Sequence, residues 1–283
     1  MGARRDARAA LAAAGLRPRK RLGQHFLADP GVVRRIVETA AIPSGGAVLE
    51  IGPGLGALTD ALAAAAAKLW LVEVDAGLAA RLRERYADRP HVVVIEGDVL
   101  ALPLADLVPD TATVVANLPY NIGTQVIFRL LDLRTRFPRA VVMLQREVAD
   151  RLAAKPDTSD WGVLSVIVQT WAEVRIAFGV SKRSFVPPPQ VASAVVELRW
   201  HATPRVDVGD PAAHREVVRA AFGQRRKTLR NALGALSARW GIDGAGLAAA
   251  CAAAGVDPGV RAETLDVAAF GRLTRALLET RRA

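Results

Sequence analysis

Between residues 47 and 200 the chain carries short, nearly continuous apolar runs separated by stretches of helical character, and this alternation restricts the fold to one class. Ala47–Ile51, Leu69–Val74, His91–Ile95, Thr113–Ala116 and Ala140–Leu144 are rich in β-branched residues. They lack the in–out alternation of a strand with one wet face, so each reads as a strand covered on both sides. Strands of this kind joined by helices build a doubly wound, mostly parallel α/β sheet. Ser193–Arg199 adds a further strand after a proline-rich loop.

The flanks read differently. Asp29-Pro30 supplies a capping carboxylate and a proline for the first helical position, and Val33, Ile36, Val37 and Ala40 then mark one apolar helix face. The stretch from His201 to Asp210 has turn signals and few large apolar residues. Beyond it, Asp210-Pro211 opens a run with helical spacing at Val217, Val218, Ala221 and Phe222 and no strand signal. The expected organisation is an α/β domain over residues 1–200 and a small all-helical domain over 201–283.

A single cysteine, Cys251, rules out an internal disulfide and a Cys-based zinc cluster, in keeping with a reducing compartment. No run approaches the roughly 18 apolar residues of a membrane span. Arg17–Arg21 stands where a signal peptide would need small residues for cleavage, so a cytoplasmic protein is expected. The net charge of +10 is concentrated: residues 1–40 carry +6, residues 214–240 carry +6, and the remainder −2. Two basic segments on a near-neutral body suit a polyanion partner better than general solubility.

Chemistry gathers at the ends of the apolar runs. Glu50-Ile51-Gly52-Pro53-Gly54-Leu55-Gly56 closes the first strand, where glycines admit a ligand to the backbone. Glu73 lies at the next strand end, where a ribose-binding acid belongs. This much also satisfies a dinucleotide fingerprint, so a dehydrogenase remains a competing reading. Glu50 would repel a pyrophosphate but attract a cationic cofactor, which favours S-adenosylmethionine. Asp98 follows the third run and can accept from an adenine amino group. Asn117-Leu118-Pro119-Tyr120 follows the fourth run. A side-chain amide oxygen and a backbone carbonyl can hold both hydrogens of an exocyclic amine and localise its lone pair, and an adjacent aromatic ring can stack on an extruded base.

These residues resemble the ribosomal RNA adenine N6-dimethyltransferases, and within that family the bacterial small-subunit type. The resemblance runs from Gly23–Leu27 to the Arg261–Glu263 region. It includes Glu50–Gly56, Glu73–Asp75, Asp98, Asn117–Ile122, Leu144–Val148, Ser184–Val191, Ser193–Val195 and Ala221–Asn231. It implies a Rossmann-like class I methyltransferase domain that binds S-adenosyl-L-methionine. The implied cofactor contacts are His25, Leu27, Gly52, Glu73, Asp98 and Asn117. The implied target pocket is formed by Asn117, Leu118, Pro119 and Tyr120, with Phe185 as its second aromatic wall. His25 departs from the family's Asn, although an imidazole can still donate or accept one hydrogen bond. No metal is called for, because a sulfonium is already an activated leaving group.

The resemblance further implies dimethylation of two adjacent adenines in the 3′-terminal hairpin loop of 16S rRNA. The implied partner is an immature 30S particle, approached by a monomeric enzyme without membrane contact. Arg225, Arg226, Lys227 and Arg230 are read as a helical basic face that cradles RNA phosphates. Two rivals stay open: a 23S rRNA adenine methyltransferase of the antibiotic-resistance type, and an assembly factor whose binding matters more than its methylation.

Overall fold

The computed structural model describes residues 24–108, 111–224 and 226–282. Contacts divide the chain into two compact units. The first comprises residues up to Ala149 together with Glu173–Ala202. Its centre is a seven-stranded sheet of β2 (Ala47–Ile51), β3 (Lys68–Glu73), β4 (Val92–Glu96), β5 (Ala112–Asn117), β6 (Arg139–Gln145), β7 (Ala172–Val180) and β9 (Ser193–Trp200). The order is β4-β3-β2-β5-β6-β9-β7, with β9 antiparallel to β6. The first five strands in that order pair in parallel, which puts the ends Ile51, Glu73 and Asn117 on one edge of the sheet. A separate two-stranded ladder joins β1 (Phe26–Leu27) to β8 (Phe185–Val186).

Helix α1 (Pro30–Ala40) starts as its sequence dictates, with Asp29 Oδ1 accepting from the amides of Gly31 at 3.0 Å and Val32 at 3.3 Å. Its apolar stripe, Val32, Ile36 and Ala40, packs with Val141, Met143 and Val195 on one face of the sheet. The Ala-rich run forms α2 (Thr59–Ala65), and α3 (Ala76–Arg85) follows β3 with Asp75 as its cap. Short α4 (Leu104–Leu107) and longer α5 (Gly123–Asp132) flank β5.

The edge strand β7 goes unread in the sequence because it has no long apolar run. Exposed Glu173, Arg175 and Gly179 interrupt its partly buried residues, the pattern of a half-wet edge rather than a doubly covered strand.

The second unit, Asp150–Ala172 with Thr203–Ala283, corrects the expected boundary. The chain leaves the first unit after α6 (Arg146–Ala153) begins and returns only with β7, so the sequence after residue 149 does not all belong to the α/β unit. The physical reason is a set of long-range bonds. Trp161 Nε1 donates to the Leu265 carbonyl at 2.9 Å, the Asp157 amide to Glu263 at 2.8 Å, and the Arg205 amide to Thr170 at 2.8 Å. The unit contains α7 (Val163–Trp171), α8 (Pro211–Phe222), α9 (Leu229–Arg239), α10 (Gly244–Ala253) and α11 (Val267–Arg282). Among the described residues no helix is long and apolar enough to cross a membrane.

His214 of α8 is the polar centre of this helical unit. Its ring nitrogens lie 3.2 Å from Thr170 Oγ1 on α7 and 3.0 Å from Thr274 Oγ1 on α11. Burial, aided by the charge of Arg215, pushes the imidazole down to about 4. A folded-state value below the free one means that the neutral ring contributes its full stability above about pH 6.5 and loses it as pH falls through 4. The expected loss is about 3 kcal/mol over that window. Melting curves between pH 7 and pH 4 should show His214→Leu with a flatter acid limb than the wild-type chain; parallel limbs would refute the assignment.

Candidate active site and cofactor pocket

A cavity of about 290 Å³ opens along the carboxyl edge of β2, β3 and β5. Strand twist and the chain reversal after each strand place ligand sites at this edge of an α/β sheet. The wall includes His25 before β1 and Leu27 within it, Glu50 and Gly52 at the end of β2, Glu73 of β3, Asp98 after β4, and Asn117 to Tyr120 at and after the end of β5. Every residue assigned from the sequence to cofactor binding thus lines one cavity.

The glycine loop leaves the space a ligand needs. Gly52 has φ +68°, and a Cβ there would meet only the Asn117 carbonyl, at 3.8 Å. Gly54, at φ +58°, has no such freedom, because a Cβ would press on the Phe26 ring at 3.1 Å. The Glu73 carboxylate organises the loop: Oε2 accepts from the Gly54 amide and Oε1 from the Asp75 amide, both at 3.0 Å. Burial raises its pKa, and those backbone donors oppose the rise. Asp98 stays exposed, with Oδ1 accepting from the Leu100 amide at 2.9 Å.

Glu50 is the electrostatic centre of the cavity. It is 1% exposed, and Thr59 Oγ1 donates to its Oε2 at 2.7 Å. Burial pushes it up to about 8, the Thr59 bond opposes this, and the negative charges of Glu73 and Asp60 add to it. Among the described residues no cation pairs with it, and the carboxyl resists ionisation. A ligand carrying an ammonium and a sulfonium would supply the missing positive charge, whereas a pyrophosphate would worsen the imbalance. The donor set and the open space above Gly52 therefore fit S-adenosylmethionine.

The target-binding side is tied together from distant segments. Asn117 Nδ2 donates to the His25 carbonyl at 3.1 Å. Only the NH₂ end of an amide can make that bond, so the side-chain oxygen is left as an acceptor; among the described residues nothing donates to it. Leu118 is 1% exposed, and its amide donates to Met143 at 3.1 Å, while its own carbonyl accepts no backbone N–H among the described residues. The Tyr120 hydroxyl lies 2.7 Å from Ser193 Oγ, and its ring leans on the His25 ring with centroids 5.3 Å apart. Burial raises the phenol's pKa, and the bond with Ser193 moderates the rise. His25 Nδ1 lies 2.9 Å from the Pro187 carbonyl. The sequence motif did not single out Ser193 or Pro187 for any role beside Tyr120 and His25, because both contacts cross more than seventy residues.

Two expectations are corrected. Phe185 is fully buried, pairs through β8 with Leu27, and packs in the core with Ile36, Val180 and Val195. It does not line the cavity, because the β1–β8 ladder turns its ring into the core; the ring beside Tyr120 is His25. The basic motif is likewise no continuous helix. Arg226 and Lys227 are exposed in a turn whose Lys227 amide donates to Gln224 at 2.9 Å, and only Arg230 sits on α9. Arg225 and residues 1–23 of the basic amino-terminal segment lie outside the described residues.

Comparison with known proteins adds the missing discriminator. Residues 15–273 match the profile of the family described as ribosomal RNA adenine dimethylase. The chain belongs to that family. It is accordingly an S-adenosylmethionine-dependent methyltransferase with a Rossmann-like fold and a carboxyl-terminal helical region. It is 46% identical over 262 residues to the ribosomal RNA small subunit methyltransferase A of Syntrophotalea carbinolica, covering 92% of this chain and 97% of that one. The protein of the same name from Geobacter sulfurreducens is 47% identical over 270 residues, with 93% and 96% covered. Among solved structures, a dimethyladenosine transferase from Plasmodium falciparum superimposes with a TM-score of 0.75 at 26% identity, over 90% of this chain and 98% of that one. The 23S rRNA methyltransferase ErmE gives 0.67 at 29% identity, over 89% and 99%.

Proposed function

We propose that this dimethylase transfers methyl groups from S-adenosylmethionine to N6 of two adjacent adenines in the 3′-terminal hairpin loop of 16S rRNA, acting as a cytoplasmic monomer on an immature small subunit. The observation that carries the reading is the Asn117 amide, whose NH₂ end is committed to the His25 carbonyl and whose oxygen is open to an incoming amine. The relatives named for the small subunit share 46–47% of residues with this chain, against 29% for the 23S enzyme, which supports the small-subunit target over its rival.

When bound, S-adenosylmethionine supplies an electrophilic methyl group on a positively charged sulfur. Each transfer would form the N6–methyl bond as the methyl–sulfur bond breaks to leave the neutral thioether, with one N6 proton passing to solvent. The protein's task is then orientation rather than proton abstraction. Asn117 Oδ1 and the Leu118 carbonyl accept the two N6 hydrogens, which draws the lone pair out of conjugation with the ring. Pro119 fixes the turn that presents both acceptors. Tyr120, braced by His25 and Ser193, stacks on the extruded base and restores stacking of about 1–3 kcal/mol lost from the RNA. Gly52, Glu73 and Asp98 hold the nucleoside part of the cofactor, and His25, Leu27 and Glu50 border its amino-acid part. The helical unit contributes RNA contacts through Arg225 and through the exposed Arg226, Lys227 and Arg230 of the basic motif.

Tritium from labelled S-adenosylmethionine should pass to small ribosomal subunits carrying unmethylated rRNA and not to large ones, and nucleoside analysis should recover N6,N6-dimethyladenosine. Transfer to large subunits alone would establish the rival target. Binding of small subunits without any transfer would favour the assembly-factor reading.

A further inference from the structure

Away from the cofactor cavity, the far end of the same sheet carries an arrangement that the methylation chemistry does not use. Arg139 of β6 sits directly opposite Arg199 of β9, and Val141 opposite Glu197. Like charges facing each other across a ladder are destabilising unless something lies between them. Glu197 does so. Although only 2% exposed, its Oε1 accepts from Arg139 Nη2 at 2.6 Å and Arg199 Nε at 2.8 Å. Its Oε2 accepts from Arg175 of β7, through Nε at 3.0 Å and Nη2 at 2.5 Å. Burial would raise this carboxyl, but the bonds from Arg175 and Arg199 and the charge of Arg139 hold it below the usual carboxylate range.

One guanidinium suffices to neutralise a buried carboxylate, and three are present. Arg139 is the structural one, 23% exposed and also donating to the Thr39 carbonyl at the end of α1 at 2.8 Å. The other two face water, with side chains 62% and 59% exposed. Among the described residues Arg199 bonds only through Nε, which leaves both of its terminal nitrogens without a protein partner, and Arg175 leaves Nη1 likewise. Arg35 of α1 lies over the Phe178 ring of β7 at 3.8 Å and extends the patch. The only carboxylate on β7 beside these arginines is Glu173, which lies 3.9 Å from His201. Three guanidinium groups therefore stand around the one Glu197 carboxylate, and the surplus charge is held in fixed geometry.

We propose that Arg175 and Arg199, fixed side by side by the buried Glu197, clamp phosphates of the rRNA backbone at a second site on the methyltransferase unit. Planar guanidinium forks match phosphate oxygens in pairs, and forks already held in place lose little freedom on binding. Arg139 pairs with Thr113, four residues before Asn117 on the parallel strand β5, so the clamp lies about 13 Å of strand away from the reacting edge. A short hairpin in the cavity would not need it; a folded particle presents further backbone that reaches it. This proposal rests on rRNA being the substrate.

The test compares wild type, Arg175→Gln/Arg199→Gln and Glu173→Gln for binding to small subunits carrying unmethylated rRNA at several salt concentrations. Melting curves and S-adenosylmethionine titration serve as folding controls. The double variant should bind about tenfold more weakly, and its log–log salt slope should fall by roughly 1.4–1.8, at about 0.7–0.9 for each lost phosphate contact. Glu173→Gln, which removes a surface carboxylate whose contact is the His201 ring at 3.9 Å, should bind a few-fold more tightly, and it keeps the test sharp if the double variant unfolds. A photo-crosslinking side chain at position 173 should capture rRNA; capture of an acidic ribosomal protein instead would overturn the RNA assignment. Superimposable salt curves with methyl transfer intact would overturn the clamp alone, whereas absence of methyl transfer by the wild type would overturn the functional reading separately.

Discussion

Asn117→Ala is expected to slow methyl transfer by two to three orders of magnitude while the protein still folds. The loss is that of an oriented acceptor that matters most as charge develops on N6, a class of contact worth about 2.7–4 kcal/mol. Stability should fall by only about 1 kcal/mol, the usual net value of the hydrogen bond from Nδ2 to the His25 carbonyl. Asn117→Asp should be as slow, because a carboxylate cannot donate to that carbonyl and loses the orientation that frees one oxygen. Ser193→Ala provides the graded comparison. It removes the tether on the Tyr120 hydroxyl and should cost several-fold in rate with cofactor affinity unchanged. Single-turnover rates, measured with cofactor saturating, decide this. Near-normal turnover by a folded Asn117→Ala would remove the amide from the mechanism.

Glu50→Gln is expected to stabilise the ligand-free protein at alkaline pH and to weaken cofactor binding. The carboxyl titrates at about 8 in the folded chain against 4.5 when free. A raised folded value means that its contribution is complete below about pH 4.5 and is lost as pH rises through 8. With 1.36 kcal/mol for each pH unit, the loss approaches about 5 kcal/mol above pH 8. An amide keeps an acceptor for the Thr59 hydroxyl, so the variant should melt with little pH dependence over the same window. The cost appears on binding. A cationic cofactor favours the ionised carboxylate, so the wild type should release a proton as S-adenosylmethionine binds near neutral pH, and Glu50→Gln should not. Calorimetry in two buffers of different ionisation enthalpy measures that proton directly. Equal proton release from both proteins would place the ionisation elsewhere.

Much of this fold is written locally. The capping of α1 by Asp29, the cap of α8 by Asp210, and the five parallel strands follow from neighbouring residues and side-chain periodicity, which act within a few positions. Strand β4, however, lies at the sheet edge with Val93 and Glu96 exposed and is not covered on both faces as expected. The glycine loop and the identities of Glu73, Asp98 and Asn117 are likewise local, and the parallel sheet delivers all of them to one edge. Edge strand β7 escapes because a strand with one wet side carries charges that look like loop.

Tertiary structure alone decided the rest, since the forces involved join residues far apart in the chain. Phe185 entered the core because its strand pairs with Leu27, 158 positions away, and its aromatic character gave no hint of that partner. The segment 150–172 joined the helical unit through bonds such as Trp161 to Leu265, although it precedes β7 and β9 in the chain. The direction of the Asn117 amide depends on a carbonyl 92 residues earlier. The proton on Glu50 depends on how completely the surrounding chain excludes water, and burial is a property of the assembled structure rather than of any segment. The sequence by itself determined which groups this dimethylase has and on which strand ends they stand. Only folding determined which way each points and whether it carries a charge, because desolvation and long-range pairing exist only once the chain has closed on itself.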